Sequence, residues 1–390
     1  MATECRFCSN CGKEHATGAK FCPFCGFALA NGTERTQQQP TGSEATHDGK
    51  GLWSSMLTKA NHIAGVDEEV TDLHMSDLVT SVFKKHTKEE QNEIFVCGTD
   101  KTTPAEDEIA ETWPKPWLYS RVFLALAGTL FVLMLLWTGF QNRNALPGIM
   151  FVGALVVPFS ILVFFFEVNA PRNITLMETV KVFFLGGALS FLAALILFEF
   201  NPDQSTDGLT YFGATMVGII EEVAKLVIVA WFCREAKVKY ILNGLLIGAA
   251  VGAGFAVFET AGYIYRFGTT WDTLLEVLVL RAVLSPGGHV VWAAISGAAL
   301  VSVKGDRPFQ WEFLGKSAFL KLFFVPVVLH AIWDMPIPSL GNISWVPYVL
   351  IVIAWVFVAL LINKGLKQIS SLKQRPGTSN EAPEVAAEAE

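Results

Sequence analysis

Charged side chains interrupt four successive apolar runs of this chain. Glu221-Glu222-Val-Ala-Lys225 breaks the first, Phe255-Ala-Val-Phe-Glu259 the second, Ser285-Pro-Gly-Gly-His289 the third and His330-Ala-Ile-Trp-Asp334 the fourth. An ionised group at mid-bilayer costs at least about 2.5 kcal/mol on the gentlest insertion scale, so such residues are functional candidates by default. Buried carboxylates can act as general bases toward water, and imidazoles can orient or stabilise reacting groups. Two glutamates and two histidines are also donors that can hold a zinc ion with one position open to water. Helical spacing puts Glu221 and Lys225 on one face and His330 and Asp334 on another. Lys225 is then expected to neutralise one member of the Glu221/Glu222 pair, because adjacent carboxylates in a low dielectric resist double ionisation.

Two other readings compete. The groups could be packing glue between helices, although an ion-rich core is an expensive way to pack. They could form the relay of a proton-coupled transporter, with Ser285-Pro286-Gly287-Gly288 as a helix break; no repeat relates the two halves of the apolar region.

The elements that must carry these residues follow from hydropathy. The chain has 390 residues, 52% of them hydrophobic, and the apolar ones concentrate between about Trp117 and Leu366. Eight spans are expected at about 117–140, 146–168, 175–199, 209–233, 241–266, 274–303, 313–335 and 343–363. The fold class is therefore an all-α polytopic membrane protein. Gly248, Gly252 and Gly254 in the fifth span and Gly287 and Gly288 in the sixth let helices approach closely around one polar pocket. Basic residues collect in the loops on one side, among them Lys115, Arg172, Lys237, Lys239, Lys304 and Lys316, against Arg143 and Arg266 on the other. By the positive-inside rule both termini are cytoplasmic. Depth along the helices places Glu259 and His330 toward the outer leaflet, where cleavage or transport chemistry would meet extracytoplasmic water.

A second constellation lies at the N-terminus, where Cys8-Ser-Asn-Cys11-Gly12 and Cys22-Pro-Phe-Cys25-Gly26 are two C-x-x-C knuckles suited to one structural Zn²⁺. Cys5 forms an overlapping pair with Cys8; the Cys8 register is preferred because it mirrors Cys22/Cys25. Reduced thiolates fit a cytosolic location. The organisation expected is a zinc ribbon over 1–30, a flexible linker over 31–51, a small cytosolic segment over 52–115 of α+β type, the membrane domain over 116–366 and a disordered tail over 367–390. Within 52–115 the run Ile94-Phe95-Val96-Cys97 reads as a strand, and His62, His74 and His86 read as surface histidines. The net charge of −7 gives no sign of nucleic-acid binding.

In combination, E-E-x-x-K at Glu221/Glu222/Lys225, F-x-x-x-E at Phe255/Glu259, H-x₇-G at His289/Gly297 and H-x-x-x-D at His330/Asp334 resemble the PrsW family of intramembrane peptidases. That family is related to the CAAX prenyl endopeptidases and bacteriocin-processing membrane proteases. The resemblance covers about Trp117 to Leu366. It implies cleavage of a membrane-anchored protein substrate in a bacterial cytoplasmic membrane, in some members an anti-sigma factor, with the zinc ribbon free to bind a cytosolic partner. It favours a metal-free scheme in which Glu221 and Glu259 polarise a water and His330 donates to the oxyanion. The CAAX-type pattern has His in place of Glu259 and Asn in place of Asp334. An ionised Asp334 cannot donate to an oxyanion and is expected to orient His330, and the catalytic-zinc alternative stays open.

Overall fold

The computed structural model of the chain describes residues 5–7, 14–16, 49–65, 76–201, 209–338 and 344–374. It divides into two compact units, Met1–Gly51 and Leu52–Glu390. In the first, β1 (Cys5–Phe7) pairs antiparallel with β2 (Glu14–Ala16), Cys5 opposite Ala16. Cys8, Cys11, Cys22 and Cys25, His74, most of the expected linker and the tail beyond residue 374 lie outside the described residues.

Helices make up the rest. They are α1 (Gly49–Ala64), the single turn α2 (Asp77–Thr80), α3 (Lys88–Phe95), α4 (Leu118–Thr138), α5 (Leu146–Val168) and α6 (Leu176–Lys181). A π-helical turn over Val182–Gly186 leads into α7 (Gly187–Phe198), followed by α8 (Tyr211–Phe232) and α9 (Ile241–Phe267). Then come α10 (Trp271–Leu284), α11 (His289–Lys304), α12 (Ser317–Asp334) and α13 (Val346–Lys373). Each expected span finds its helix. Seven spans are long and apolar enough to cross a membrane. The eighth, α8, falls short on composition because it carries Glu221, Glu222 and Lys225.

Helix α9 is the axle of the bundle, buried along nearly all its apolar length. Its glycines make this close packing feasible: a Cβ on Gly248 would strike the Ala293 carbonyl, and one on Gly252 the His289 carbonyl, both on α11. Gly254 meets Phe183 and Gly187 on the opposite side in the same way. Small residues one turn apart thus let backbones touch, and this contact fixes the height of His289 beside α9.

The sixth span is two helices. Ser285–Gly287 forms a 3-10 turn between α10 and α11, and the Pro286 carbonyl accepts a hydrogen bond from Trp355 Nε1 of α13 at 2.7 Å. Proline and two glycines cannot continue an α-helix cheaply, so the break is local in origin.

The segment before the first span differs from expectation. Ile94 and Phe95 close helix α3, because Thr87 and Glu90 form a capping box that starts a helix at Lys88. No strand occurs among the described residues of 52–115. The segment also shares the main core through Leu78, Cys97 and Ile109. His86 is not a surface residue; its ring stacks on Trp117 at 3.8 Å. Gly98, at φ +81°, lets the chain pass against the Ile174 and Thr175 backbone. At the other end, α13 continues to Lys373 where a disordered tail was expected from residue 367. Gln368 Oε1 accepts from the Ile241 N–H at 2.8 Å, capping α9, and Ile369 is fully buried. Those tertiary contacts stabilise a turn whose composition alone reads as polar.

Candidate active site

Four helices bring the singled-out residues together. α8 supplies Glu221, Glu222 and Lys225; α9 supplies Glu259; α11 begins at His289; α12 ends with His330 and Asp334. The Glu222 and Lys225 side chains have no solvent contact and those of Glu221 and His330 little, while His289, Glu259 and Asp334 are each partly exposed. Glu221, Glu259, His289, His330 and Asp334 line a cavity of about 790 Å³ that also borders α7 and α10.

Behind its wall, Glu222 is the anchor. Its Oε1 accepts from Lys225 Nζ at 2.6 Å and from His330 Nδ1 at 2.8 Å. The lysine's partner is therefore Glu222, one turn away at i+3, rather than the Glu221 suggested by i+4 spacing. Lys225 Nζ also lies 2.9 Å from His289 Nδ1 and 4.7 Å from the centre of the Phe255 ring. His289 points its other nitrogen, Nε2, at Glu259 Oε2 at 2.8 Å. His330 Nε2 faces Asp334 Oδ2 at 3.4 Å, and its ring stacks on Trp292 at 4.5 Å.

Glu221 stands apart from its neighbour. Its Oε2, like that of Glu222, is buried and has no hydrogen-bond partner, but it sits on the cavity wall between the two histidines, 3.8 Å from His289 Nδ1 and 3.7 Å from His330 Nε2. An unpaired buried acceptor carries a desolvation cost of about 1–3 kcal/mol and more when charged, so this oxygen is an acceptor waiting for something.

The expected joint action of Glu221 and Glu259 on one water is not what the geometry offers. Glu259 is already held by His289 and by Arg281 of α10, whose guanidinium pairs with the same oxygen. Arg281 escaped the sequence reading, although a charge within Leu-Glu-Val-Leu-Val-Leu-Arg-Ala-Val-Leu meets the same criterion that selected the others. Trp292, buried with an unpartnered indole N–H, was missed as well; a tryptophan in an apolar helix carries no signal of its own. Tyr263 does not bond Glu259 but lies beneath the Arg281 guanidinium at 4.3 Å.

With this geometry in place, similarity becomes informative. Residues 176–362 match the family model described as PrsW family intramembrane metalloprotease. The membrane region is a PrsW-family protease domain. It is 26% identical over 205 residues to Protease PrsW of Clostridioides difficile (strain 630), covering 51% of this chain and 82% of that protein. Protease PrsW of Shouchella clausii (strain KSM-K16) is 25% identical over 189 residues, 47% of this chain and 82% of the relative. Protease PrsW of Bacillus subtilis (strain 168) is 24% identical over 201 residues, 51% of this chain and 87% of the relative. Residues 7–29 match a zinc-ribbon domain, a stretch that contains Cys8, Cys11, Cys22 and Cys25 and begins after Cys5. No solved structure matches the chain significantly. The chain thus carries a PrsW-family intramembrane protease domain over residues 176–362 and a zinc-ribbon domain over residues 7–29, with seven helices among the described residues long and apolar enough to cross a membrane.

The family description names a metal, and the residues can be tested against it. One donor atom each from Glu221, His289 and His330 lie within 4.8 Å of one another. Each histidine sets its remote nitrogen on a carboxylate, His330 on Glu222 and His289 on Glu259, an arrangement that orients metal-binding imidazoles. A neutral His330 donating from Nδ1 presents Nε2 as a lone pair, and a neutral His289 donating from Nε2 presents Nδ1. Both lone pairs then face Glu221. Lys225 shares His289 Nδ1, so that nitrogen can serve the ammonium or an ion but not both. His330 Nε2 likewise can serve Asp334 or an ion, and with those two exchanges the donor set fits a divalent ion.

Proposed function

We propose that the PrsW domain hydrolyses a peptide bond of a membrane-anchored protein, a regulatory protein such as an anti-sigma factor, with Glu221 as the reactive carboxylate. The observation that carries this reading is the unpartnered Glu221 Oε2 between two histidines on the wall of the cavity. Glu221 accepts the proton of the attacking water and passes it to the leaving amine. Glu222 does no proton transfer; it holds Lys225 and His330 in place. Trp292 holds the His330 ring from its face, and Asp334 borders Nε2 from the cavity side.

His289 and His330 would hold the family's metal beside Glu221; when bound, it would polarise the scissile carbonyl and acidify the water whose proton Glu221 accepts. This donor set supports the metal scheme over the metal-free one that the resemblance favoured, because neutral histidines anchored as these are present lone pairs to the site and no donor to an oxyanion.

The cavity draws on the C-terminal parts of α7, α9 and α12 and the N-terminal part of α8. Glu259 lies 18 residues along α9 from Ile241, about 27 Å at 1.5 Å per residue, in a bilayer core of about 30 Å. With the basic loops cytoplasmic, the cut falls in the outer leaflet or outer juxtamembrane part of the substrate. The zinc ribbon, held by Cys8, Cys11, Cys22 and Cys25, serves a cytosolic partner.

The test is cleavage of a single-span substrate in proteoliposomes, with the new N-terminus mapped and metal counted on the full chain. Two zinc ions per wild-type chain, one after replacing the four ribbon cysteines by serine, and one after Glu221→Gln with His330→Ala are expected. A cut on the cytoplasmic side would overturn the depth assignment. Zinc confined to the ribbon would overturn the metal scheme.

A further inference from the structure

Arg281 is costly where it stands. Helix α10 turns Val279, Leu280 and Val283 outward, and an arginine within such a helix carries an insertion penalty of about 2.5–3.5 kcal/mol. Packing of α10 does not call for it, since Leu274 and Leu278 make the buried seam. Its donors are instead all directed at one side of α9. Nε donates to Thr260 Oγ1 at 2.8 Å, a terminal nitrogen pairs with Glu259 Oε2, and the guanidinium plane rests on Tyr263. A planar fork held at three points is a rigid support, which an ammonium on a flexible stem matches only in part.

What Arg281 supports is the partner of His289. Glu259 offers Oε2 to both Arg281 and His289 Nε2. A carboxylate accepting from Nε2–H fixes one tautomer of the imidazole, and that tautomer turns the Nδ1 lone pair toward Lys225 and Glu221. The Lys225 contact agrees independently, because an ammonium can only donate, so Nδ1 must be the acceptor. The chain of contacts therefore runs from α10 through α9 to α11 and ends at the carboxylate proposed to react.

We propose that Arg281 is a positioning residue of the protease: by pinning Glu259 it sets the tautomer and orientation of His289 at the active site. The inference rests on the protease reading, and it adds α10, outside the motifs that carry the family resemblance, to the working parts.

The experiment compares Arg281→Gln, Arg281→Lys and the exchanged pair Glu259→Arg with Arg281→Glu in the full chain. Loss of an outer partner of an active-site histidine costs about 10–100-fold. Arg281→Gln should lower kcat per folded molecule by that factor with KM little changed, and Arg281→Lys should recover most of it. The exchanged pair should restore folded yield but not kcat, because His289 would face a cation. A second readout does not use activity: side-chain nitrogen resonances of isotope-labelled histidine, with His289 assigned by His289→Asn. Wild type should show the two well-separated nitrogen shifts of a single tautomer, Arg281→Gln should average them, and Arg281→Lys should not. Unchanged kcat per folded molecule together with unmoved His289 resonances in Arg281→Gln would overturn the proposal. If wild type cleaves and Arg281→Gln cleaves equally well, this inference fails alone. If wild type cleaves nothing, the protease reading fails and the resonances still decide the geometry.

Discussion

Two regions of this molecule are rich in charge, and they use it differently. Where the segment before α4 meets the loops and helix ends, Lys239 pairs with Glu106 at 3.4 Å and Lys373 with Glu111 at 3.0 Å, all partly exposed. Backbone groups are satisfied there too: Arg172 donates to the Glu93 carbonyl and Cys97 Sγ to the Ile174 carbonyl. At the cavity, by contrast, the Lys225–Glu222 pair has no solvent contact, and one oxygen of each adjacent glutamate is left without a partner. Water screens the first set, so it contributes little and can be replaced. Nothing screens the second, so each unsatisfied atom there is retained at a cost that packing does not explain. Unsatisfied buried charge, more than charge itself, separates a working site from a seam.

The largest effect should come from Glu221→Gln. A missing general base costs about 10²–10⁴-fold in rate, and because Oε2 has no partner to lose, the melting temperature should hardly move. Cleavage and thermal unfolding of the same purified sample check both halves; a variant that cleaves like wild type would erase the distinction between site and seam.

Glu222→Gln should reverse that pattern. Removing one partner of a buried ion pair costs about 3–5 kcal/mol, so folded yield and thermal stability in detergent should fall first and activity with them. A stable, inactive Glu222→Gln protein would show that Glu222 reacts directly and that the two glutamates share one role.

A smaller loss is expected from Gly252→Val, whose side chain would press on the His289 carbonyl and displace the start of α11. Overpacking of this kind costs about 1–3 kcal/mol, and cleavage should drop more than stability because His289 moves with the helix. Equal losses would mean that the α9–α11 contact serves packing alone.

The seam should be nearly silent. Glu106→Gln removes a partly exposed ion pair of the class worth about 0–1 kcal/mol, so unfolding and cleavage should both stay near wild type. Cys97 tests the same seam from inside: burial pushes its thiol up from the ordinary value, with Arg172 pulling the other way, and Ile174 covers it. Alkylation should be slow in the folded protein and become fast only when the segment undocks. Rapid modification at neutral pH would show that the segment is not held as described.

Hydropathy and spacing alone determined that the chain is a helical membrane protein, where its apolar runs lie and which intramembrane groups are chemically unusual, because burying backbone and charge in lipid leaves few alternatives. They also determined the family resemblance, since Glu221/Glu222/Lys225, Glu259, His289 and His330/Asp334 keep their order along the chain. Pairing was decided elsewhere. That Lys225 serves Glu222 and leaves Glu221 bare depends on where His289 and His330 enter from α11 and α12. That Glu259 supports His289 depends on Arg281 reaching it from α10. Spacing along one helix says which residues share a face, but not which groups on other helices will reach that face first. The same limit applies to residues 367–373, where the docking of Gln368 on the start of α9 outweighed local composition, because only the assembled bundle supplies a neighbour so distant in sequence. Ile94-Phe95 differs: the Thr87/Glu90 capping box that starts its helix is local, and it outweighed the β-propensity of the run.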